Sequence, residues 1–138
     1  MGKLSRIGVA IDSELLKRFD ALIAKRGYVN RSEAFRDLIR DVLVQTTWES
    51  PDSQVVGTVT LVYNHHVRQL SDKLTGMQHE YHHNVLSTMH VHLDHDHCLE
   101  VLVVKGKASV VQRVADSLIA TKGVKHGRLA ITTSGAGL

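Results

Sequence analysis

The apolar positions change their period along the chain, and the changes divide it into two modules. In Arg6-Ile7-Gly8-Val9-Ala10-Ile11 they alternate, with Ile7, Val9 and Ile11 on one side, which predicts a short half-buried strand. From Ser13 to Arg26, Leu15, Leu16, Phe19, Leu22 and Ile23 follow a helical period, with Asp12 placed to cap the helix and Gly27 to close it. A second helix is predicted from Asn30, with Glu33 in capping-box position and Ala34, Phe35, Leu38, Ile39, Val42 and Leu43 on its buried side. The polar run 46–53 holds the only proline and breaks the periodicity, so it reads as a linker.

Beyond it the pattern becomes strand, helix, strand, strand, helix, strand. Residues 55–63 are rich in β-branched side chains, and 66–80 read as a helix with Val67, Leu70, Leu74 and Met77 in phase. Strands over 85–93 and 98–104 flank a polar turn at 94–97, Lys105-Gly106 reads as a turn, 108–121 as an amphipathic helix and 127–132 as a last strand. A βαββαβ order of this length is the ferredoxin-like split unit. The expected fold is therefore α+β, with a βαα unit over 1–47, a linker over 48–54, a ferredoxin-like domain over 55–133 and a mobile tail over 134–138.

Composition narrows the setting. At 138 residues, 43% hydrophobic and 22% charged, the chain is of a folded class, and with aromatics at 4% its cores must be built from Val, Ile and Leu. No apolar run approaches the roughly 18–20 residues that span a bilayer, and the N-terminus has no apolar signal segment, so no membrane association is expected. A single cysteine cannot form an internal disulfide, which fits a reducing cytoplasm. A net charge of +3 is only a weak hint of an acidic partner.

One short strand cannot make a sheet by itself, so the first module is expected to dimerise by pairing two such strands antiparallel. A two-stranded ribbon fits the DNA major groove, and alternation turns Arg6, Gly8 and Ala10 outward. Arg6 is the natural base reader, worth roughly 1–3 kcal/mol of discrimination if it meets a guanine. Gly8 and Ala10 cannot hydrogen-bond a base edge, which leaves phosphate contacts and DNA shape to share in specificity. Asn30, Arg31 and Ser32, at the start of the second helix, offer backbone amides to a phosphate. The competing reading is a plain helical dimerisation domain whose basic residues are merely solvated.

Candidate chemistry lies further on. Seven of the ten histidines and the only cysteine fall between His79 and Cys98. On a strand His90 and His92 share a face, and the turn at 94–97 returns Cys98 to their neighbourhood. Imidazoles with a thiolate suit Zn(II), Cu(II) or Ni(II), not Mg(II) or Ca(II). A further imidazole would come from the preceding helix end, where His79, His82 and His83 compete. His65, His66, His83 and His126 read as ordinary histidines, and His95 and His97 as loop polars or weak extra ligands. An open zinc site with Glu100 or Asp94 as base would make an enzyme, but no His-Glu-x-x-His signature is present, so none is expected.

These residues together resemble the nickel-responsive transcriptional regulators, ribbon-helix-helix repressors with a C-terminal ferredoxin-like, ACT-type domain. The resemblance covers nearly all of 4–133. It rests on Arg26-Gly27-Tyr28-Val29-Asn30-Arg31-Ser32-Glu33-Ala34, on Gln78-His79, His90-Val91-His92, Asp94-His95-Asp96-His97-Cys98-Leu99-Glu100 and Gly123-Val124-Lys125-His126-Gly127. It implies a homotetramer, a dimer of dimers, that binds palindromic double-stranded operator DNA. It implies one square-planar Ni(II) per subunit, held by His90, His92 and Cys98 with His79 of a neighbouring subunit and supported by Tyr63 and Glu100. Glu33 and Asp37 match a carboxylate pair that holds potassium in the DNA-bound state. Arg68, read on the helix that carries His79, is expected to reach a phosphate. The implied output is repression of nickel uptake. Two departures stand out: Gly8 and Ala10 replace threonines of well-known members, and Tyr81 interrupts a run that is all histidine in some. A cytoplasmic nickel or zinc buffer or metallochaperone is one alternative, and a repressor sensing an amino acid is another.

Overall fold

The computed structural model describes residues 2–138, which form two compact units, one up to Asp41 and one from Val42 onward. In the first, α1 (Ser13–Lys25) begins where Asp12 Oδ2 accepts the amides of Glu14 and Leu15, each at 3.1 Å. It ends before Gly27, whose φ of +85° is the left-handed step that glycine makes without strain. α2 (Arg31–Glu49) starts with Asn30 Oδ1 accepting the Glu33 amide at 2.9 Å. Phe19 and Phe35 stack with ring centroids 5.2 Å apart, and Arg31 grips the Asp20 carboxylate through two bonds of 2.8 and 2.7 Å.

The expected strand and buried face belong to a paired copy, which the single chain does not supply, and one boundary differs. Residues 6–11 form no strand in the single chain: Ile7 is 79% and Val9 60% exposed. A strand needs an edge to pair with, and one copy supplies none. For the same reason Leu38 and Ile39 lie exposed, and among the described residues of this unit only Ile23 and Ala34 are buried. Nor does α2 stop at Thr46. Thr46 and Thr47 donate their hydroxyls to the carbonyls of Val42 and Leu43, a back-bonding that lets polar residues continue the helix.

The second unit carries β1 (Gln54–Asn64), α3 (Leu70–Glu80), β2 (Val85–His92), β3 (His97–Lys107), α4 (Ala108–Ile119) and β4 (Val124–Thr132). The sheet order is β2-β3-β1-β4, with every neighbouring pair antiparallel. Alternate residues of β1 and β3 turn one way and are buried: Val55, Val59, Leu61 and Tyr63, with Cys98, Glu100, Leu102 and Val104. Leu70 and Leu74 of α3 and Val111, Val114, Ala115 and Leu118 of α4 complete that core. Trp48 packs against it and donates its indole N–H to the Thr132 carbonyl at 3.0 Å. The ring passes so close to Gly57 that a Cβ there would sit 3.2 Å from it and 2.9 Å from the Ala130 carbonyl oxygen.

Boundaries differ in three places. α3 begins at Leu70, not residue 66, after turns that end with Gln69 in a left-handed conformation at φ 64°, and Val67 is exposed instead of in phase with the core. Arg68 therefore lies in those turns and not on the helix that carries His79. Lys105-Gly106 is no turn, because both residues pair with β1 inside β3. The last strand starts earlier, at Val124, with a bulge opposite Val62 and Tyr63.

The bond and charge of Arg31 hold the Asp20 carboxyl below its ordinary 3.8. A depressed carboxylate stabilises the fold above its unfolded-state value and ceases to do so as pH falls through the folded one. The α1–α2 tie should thus be whole at neutral pH and released only below about pH 4. A carbon-detected NMR titration of Asp20 checks this; an unshifted midpoint that is indifferent to Arg31→Ala contradicts it.

Candidate metal centre

The β2–β3 hairpin sets residues against one another in rows. His92 stands opposite Cys98, which stands opposite Tyr63 on β1; one row along, His90 stands opposite Glu100 and Leu61. Cross-strand partners share a face, so both histidines lie on the side of the sheet that carries the helices. The loop between them is shaped by Asp94, whose Oδ1 accepts the amides of Asp96 and His97, both at 2.8 Å. Those bonds, with one from the His97 ring, pull the Asp94 carboxyl down to about 2.

At the sulfur, Cys98 is 5% exposed, and two imidazoles face it: His65 Nδ1 at 3.4 Å and His92 Nδ1 at 3.5 Å. One donor atom from each of His65, His92 and Cys98 lies within 4.8 Å of the others. Partial burial and the neighbouring imidazoles of His66, His92 and His95 lower the His65 pKa, which favours the neutral form a metal requires. A thiolate with imidazoles is the donor chemistry of borderline divalent ions, so these residues fit Ni(II), Zn(II) or Cu(II). Sequence reasoning treated His65 as an ordinary histidine. The signal lay in topology: β1 pairs with β3, Tyr63 opposite Cys98, so the segment after β1 must run beside the tip of the hairpin.

His90 is placed differently. Its Nε2 lies 2.9 Å from Glu100 Oε1 and 3.2 Å from the Tyr63 hydroxyl, not at the sulfur. Glu100, only 1% exposed, also accepts from Gln78 Nε2 at 2.7 Å, Tyr63 Oη at 3.1 Å and Thr88 Oγ1 at 3.2 Å. Burial first, and the Glu100 charge second, push the Tyr63 phenol up to about 12. Gln78 ties this carboxylate to α3 one residue before His79, which is exposed near the helix end and belongs to neither donor cluster of the single chain. His97 is engaged at both ring nitrogens, by Asp94 at 3.0 Å and by Lys125 Nζ at 2.9 Å. His82 and His83 stack on each other with centroids 3.9 Å apart.

The other predicted residues fall in the first unit. Arg6, Gly8 and Ala10 are exposed on the unpaired segment, and Asn30, Arg31 and Ser32 open α2, with the Arg31 side chain held by Asp20. Glu33 and Asp37 lie four apart on α2, and Asp37 accepts the Tyr28 hydroxyl at 2.6 Å and pairs with Arg40 at 3.8 Å.

Removing the buried acceptor should cost more than its exposed partners suggest. Glu100→Ala strands the buried Tyr63 hydroxyl and frees the donors of Gln78 and Thr88, a buried donor left unpaired costing about 1–3 kcal/mol. Urea unfolding should show a loss of at least that size, with Glu100→Gln falling between. A change below about 0.5 kcal/mol, typical of exposed substitutions, contradicts the network.

Residues 56–132 match the family described as the NikR C terminal nickel binding domain, and residues 5–46 match the ribbon-helix-helix proteins of the copG family. The chain is 74% identical over 136 residues to a protein of Solibacter usitatus described as a nickel-responsive regulator, covering 99% of this chain and 98% of that one. It is 60% identical over 135 residues to one of the same description from Geobacter metallireducens, covering 98% and 97%. A third, from Geobacter sulfurreducens, is 62% identical over 135 residues with the same coverage. These are descriptions of regulators and not of enzymes, and the α+β architecture of helices and a four-stranded antiparallel sheet agrees with both matches. The chain belongs to the family of nickel-responsive regulators.

Proposed function

We propose that this protein is a nickel-dependent transcriptional repressor whose affinity for operator DNA rises when Ni(II) is bound between subunits. The observation that carries the reading is the row of His92 and Cys98 beside His90 and Glu100 on one face of a DNA-binding family's C-terminal sheet. His90, His92 and Cys98 would supply one subunit's donors, and His79 of a neighbouring subunit the fourth, with one ion per subunit. Bound there, Ni(II) supplies a cross-link between protomers.

The chain's own residues prepare that role. Glu100, accepting at His90 Nε2, selects the tautomer that leaves Nδ1 as the ring's donor. Through Gln78 the same carboxylate steadies the end of α3, where His79 sits. Burial of Cys98 limits the access of oxidants and competing thiols to the sulfur. Two apolar surfaces support assembly. In the first unit Ile7, Val9, Leu38 and Ile39 are exposed, the face that a second copy's ribbon and helices would cover. On the sheet face away from the helices, Met89 and Val91 are exposed beside Leu99, Val101 and Val62, a surface for the dimer-of-dimers contact.

Arg6, beside Gly8 and Ala10 on the paired ribbon, would read bases, while Asn30, Arg31, Ser32 and Arg68 would meet phosphates. Glu33 and Asp37 would take potassium in the DNA complex, which requires Asp37 to give up Tyr28 or share it. Repression of nickel uptake in the cytoplasm is the expected output. No described helix is long and apolar enough to cross a membrane.

A duplex selected from a random pool by Ni(II)-loaded protein should bind roughly 5–150-fold more tightly with Ni(II) than without, the range that 1–3 kcal/mol of coupling allows. Cys98→Ala should erase that difference and the thiolate charge-transfer band together; equal affinity of the wild type in both states refutes the switch. Arg6→Ala should weaken binding by at least about fivefold, the low end of a lost base contact. Unchanged sequence preference in that variant would remove Arg6 from the reading surface.

A further inference from the structure

The segment that reads as a linker in the sequence has no slack. Ser50 donates its amide to the Thr47 carbonyl at 3.1 Å, and Ser53 donates its own to the Ser50 carbonyl at 3.1 Å, so the chain leaves α2 through closed turns. The carbonyls of Pro51 and Ser53 then accept the amides of Ser109 and Ala108 at 3.1 and 2.9 Å. They satisfy the first turn of α4, for which the N-cap residue Lys107 makes no side-chain cap. Trp48, the only tryptophan, precedes these turns; its half-buried ring lies over Gly57 of β1 and its N–H donates to the Thr132 carbonyl of β4. We propose that Trp48 is a positioning residue of the nickel switch: its ring keys the end of α2 into the sheet, so that the effect of the metal passes into that helix instead of dissipating in the connection. This inference rests on the regulatory reading of the protein.

The seat is shaped for that side chain. Gly57 pairs with Val104 on one side and Ile131 on the other, and a glycine inside a sheet marks a place where another group approaches the backbone closely. Here that group is the indole: a Cβ on Gly57 would lie 3.2 Å from its ring. A covered indole needs an acceptor for its N–H, and the Thr132 carbonyl, 3.0 Å away, supplies one from the neighbouring strand. Gly57 and Tyr63 share the helix-side face of β1, and Tyr63 stands opposite Cys98. The seat and the candidate metal centre therefore occupy the two ends of one strand, about 20 Å apart at the usual rise of about 3.3 Å per residue. β1 is paired along both edges, which makes it a stiff connection between them. The chain from Val42 onward groups with the sheet's unit, as an anchor at Trp48 requires. None of the anchor's partners is a candidate ligand, so it holds with or without metal.

The full-length protein and the duplex selected by its Ni(II)-loaded form test this. In Trp48→Ala the thiolate charge-transfer band and the Ni(II) affinity of the DNA-free protein should match the wild type, because no ligand is touched. The gain in operator affinity on adding Ni(II) should fall by at least about fivefold, the low end of a working coupling. Trp48→Phe, which keeps a ring over Gly57 and loses the N–H, should recover part of that gain. A side chain that merely filled the core would lower the unfolding midpoint and leave the gain alone. In the wild type, the emission peak of Trp48 and its shielding from iodide should be the same with and without Ni(II). The proposal is overturned if Trp48→Ala keeps the full gain or loses the band, if Trp48→Phe recovers nothing, or if the wild-type indole is solvent-exposed in either state. A wild type without any gain refutes the switch itself, whereas a wild-type gain that survives Trp48→Ala refutes only the anchor.

Discussion

The pairing register of β2 with β3 is the constraint on which the rest of this molecule depends. It places His92 against Cys98 and His90 against Glu100. A slip of one residue would send both histidines to the opposite face, because side chains alternate with a period of two. The register is held from several directions. β3 is a central strand paired on both edges, its buried row runs from Cys98 to Val104, and the Asp94 turn fixes where the hairpin reverses. The candidate donors of the hairpin thus stand in a register set by a central, largely buried strand.

Glu100 is the electrostatic counterpart of that register. A buried carboxylate is costly unless its lone pairs are met, and here donors from β1, β2 and α3 converge on it. Three elements are therefore locked to one group. His90 belongs to this network through Nε2, which faces both the carboxylate and the Tyr63 hydroxyl. A ligand arriving at His90 would be felt along Gln78 at the end of α3, a continuous physical route from the sheet to the helix that carries His79.

The first unit shows the opposite economy. Its helices are well capped and its aromatic pair is stacked, yet among its described residues only Ile23 and Ala34 are buried. So small a core cannot offset the entropy of ordering about forty residues, given a cost on the order of 1–2 kcal/mol for each backbone unit fixed. The exposed Ile7, Val9, Leu38 and Ile39 are the missing half of that core, and a second copy is the natural source of the other half. Folding and DNA recognition would then be one event, because the ribbon that reads DNA exists only once two chains pair.

Local pattern was enough to locate α1, α2, α4 and the strands of the sheet, since periodicity and caps act between residues close in sequence. It was enough too for the shared face of His90 and His92, which follows from alternation alone. It could not see that Thr46 and Thr47 would continue α2 by back-bonding, or that Gly106 would stay inside β3 instead of turning. It also missed His65 and His66. His65 lies 33 residues from Cys98 and His66 29 from His95, and they meet them only because β1 inserts beside β3. Which nitrogen of His90 faces which partner was likewise a matter of tertiary packing, for Glu100 becomes a strong acceptor only once α3 and β1 have buried it. Short-range geometry named most of the candidate donors. Long-range strand order decided which of them meet.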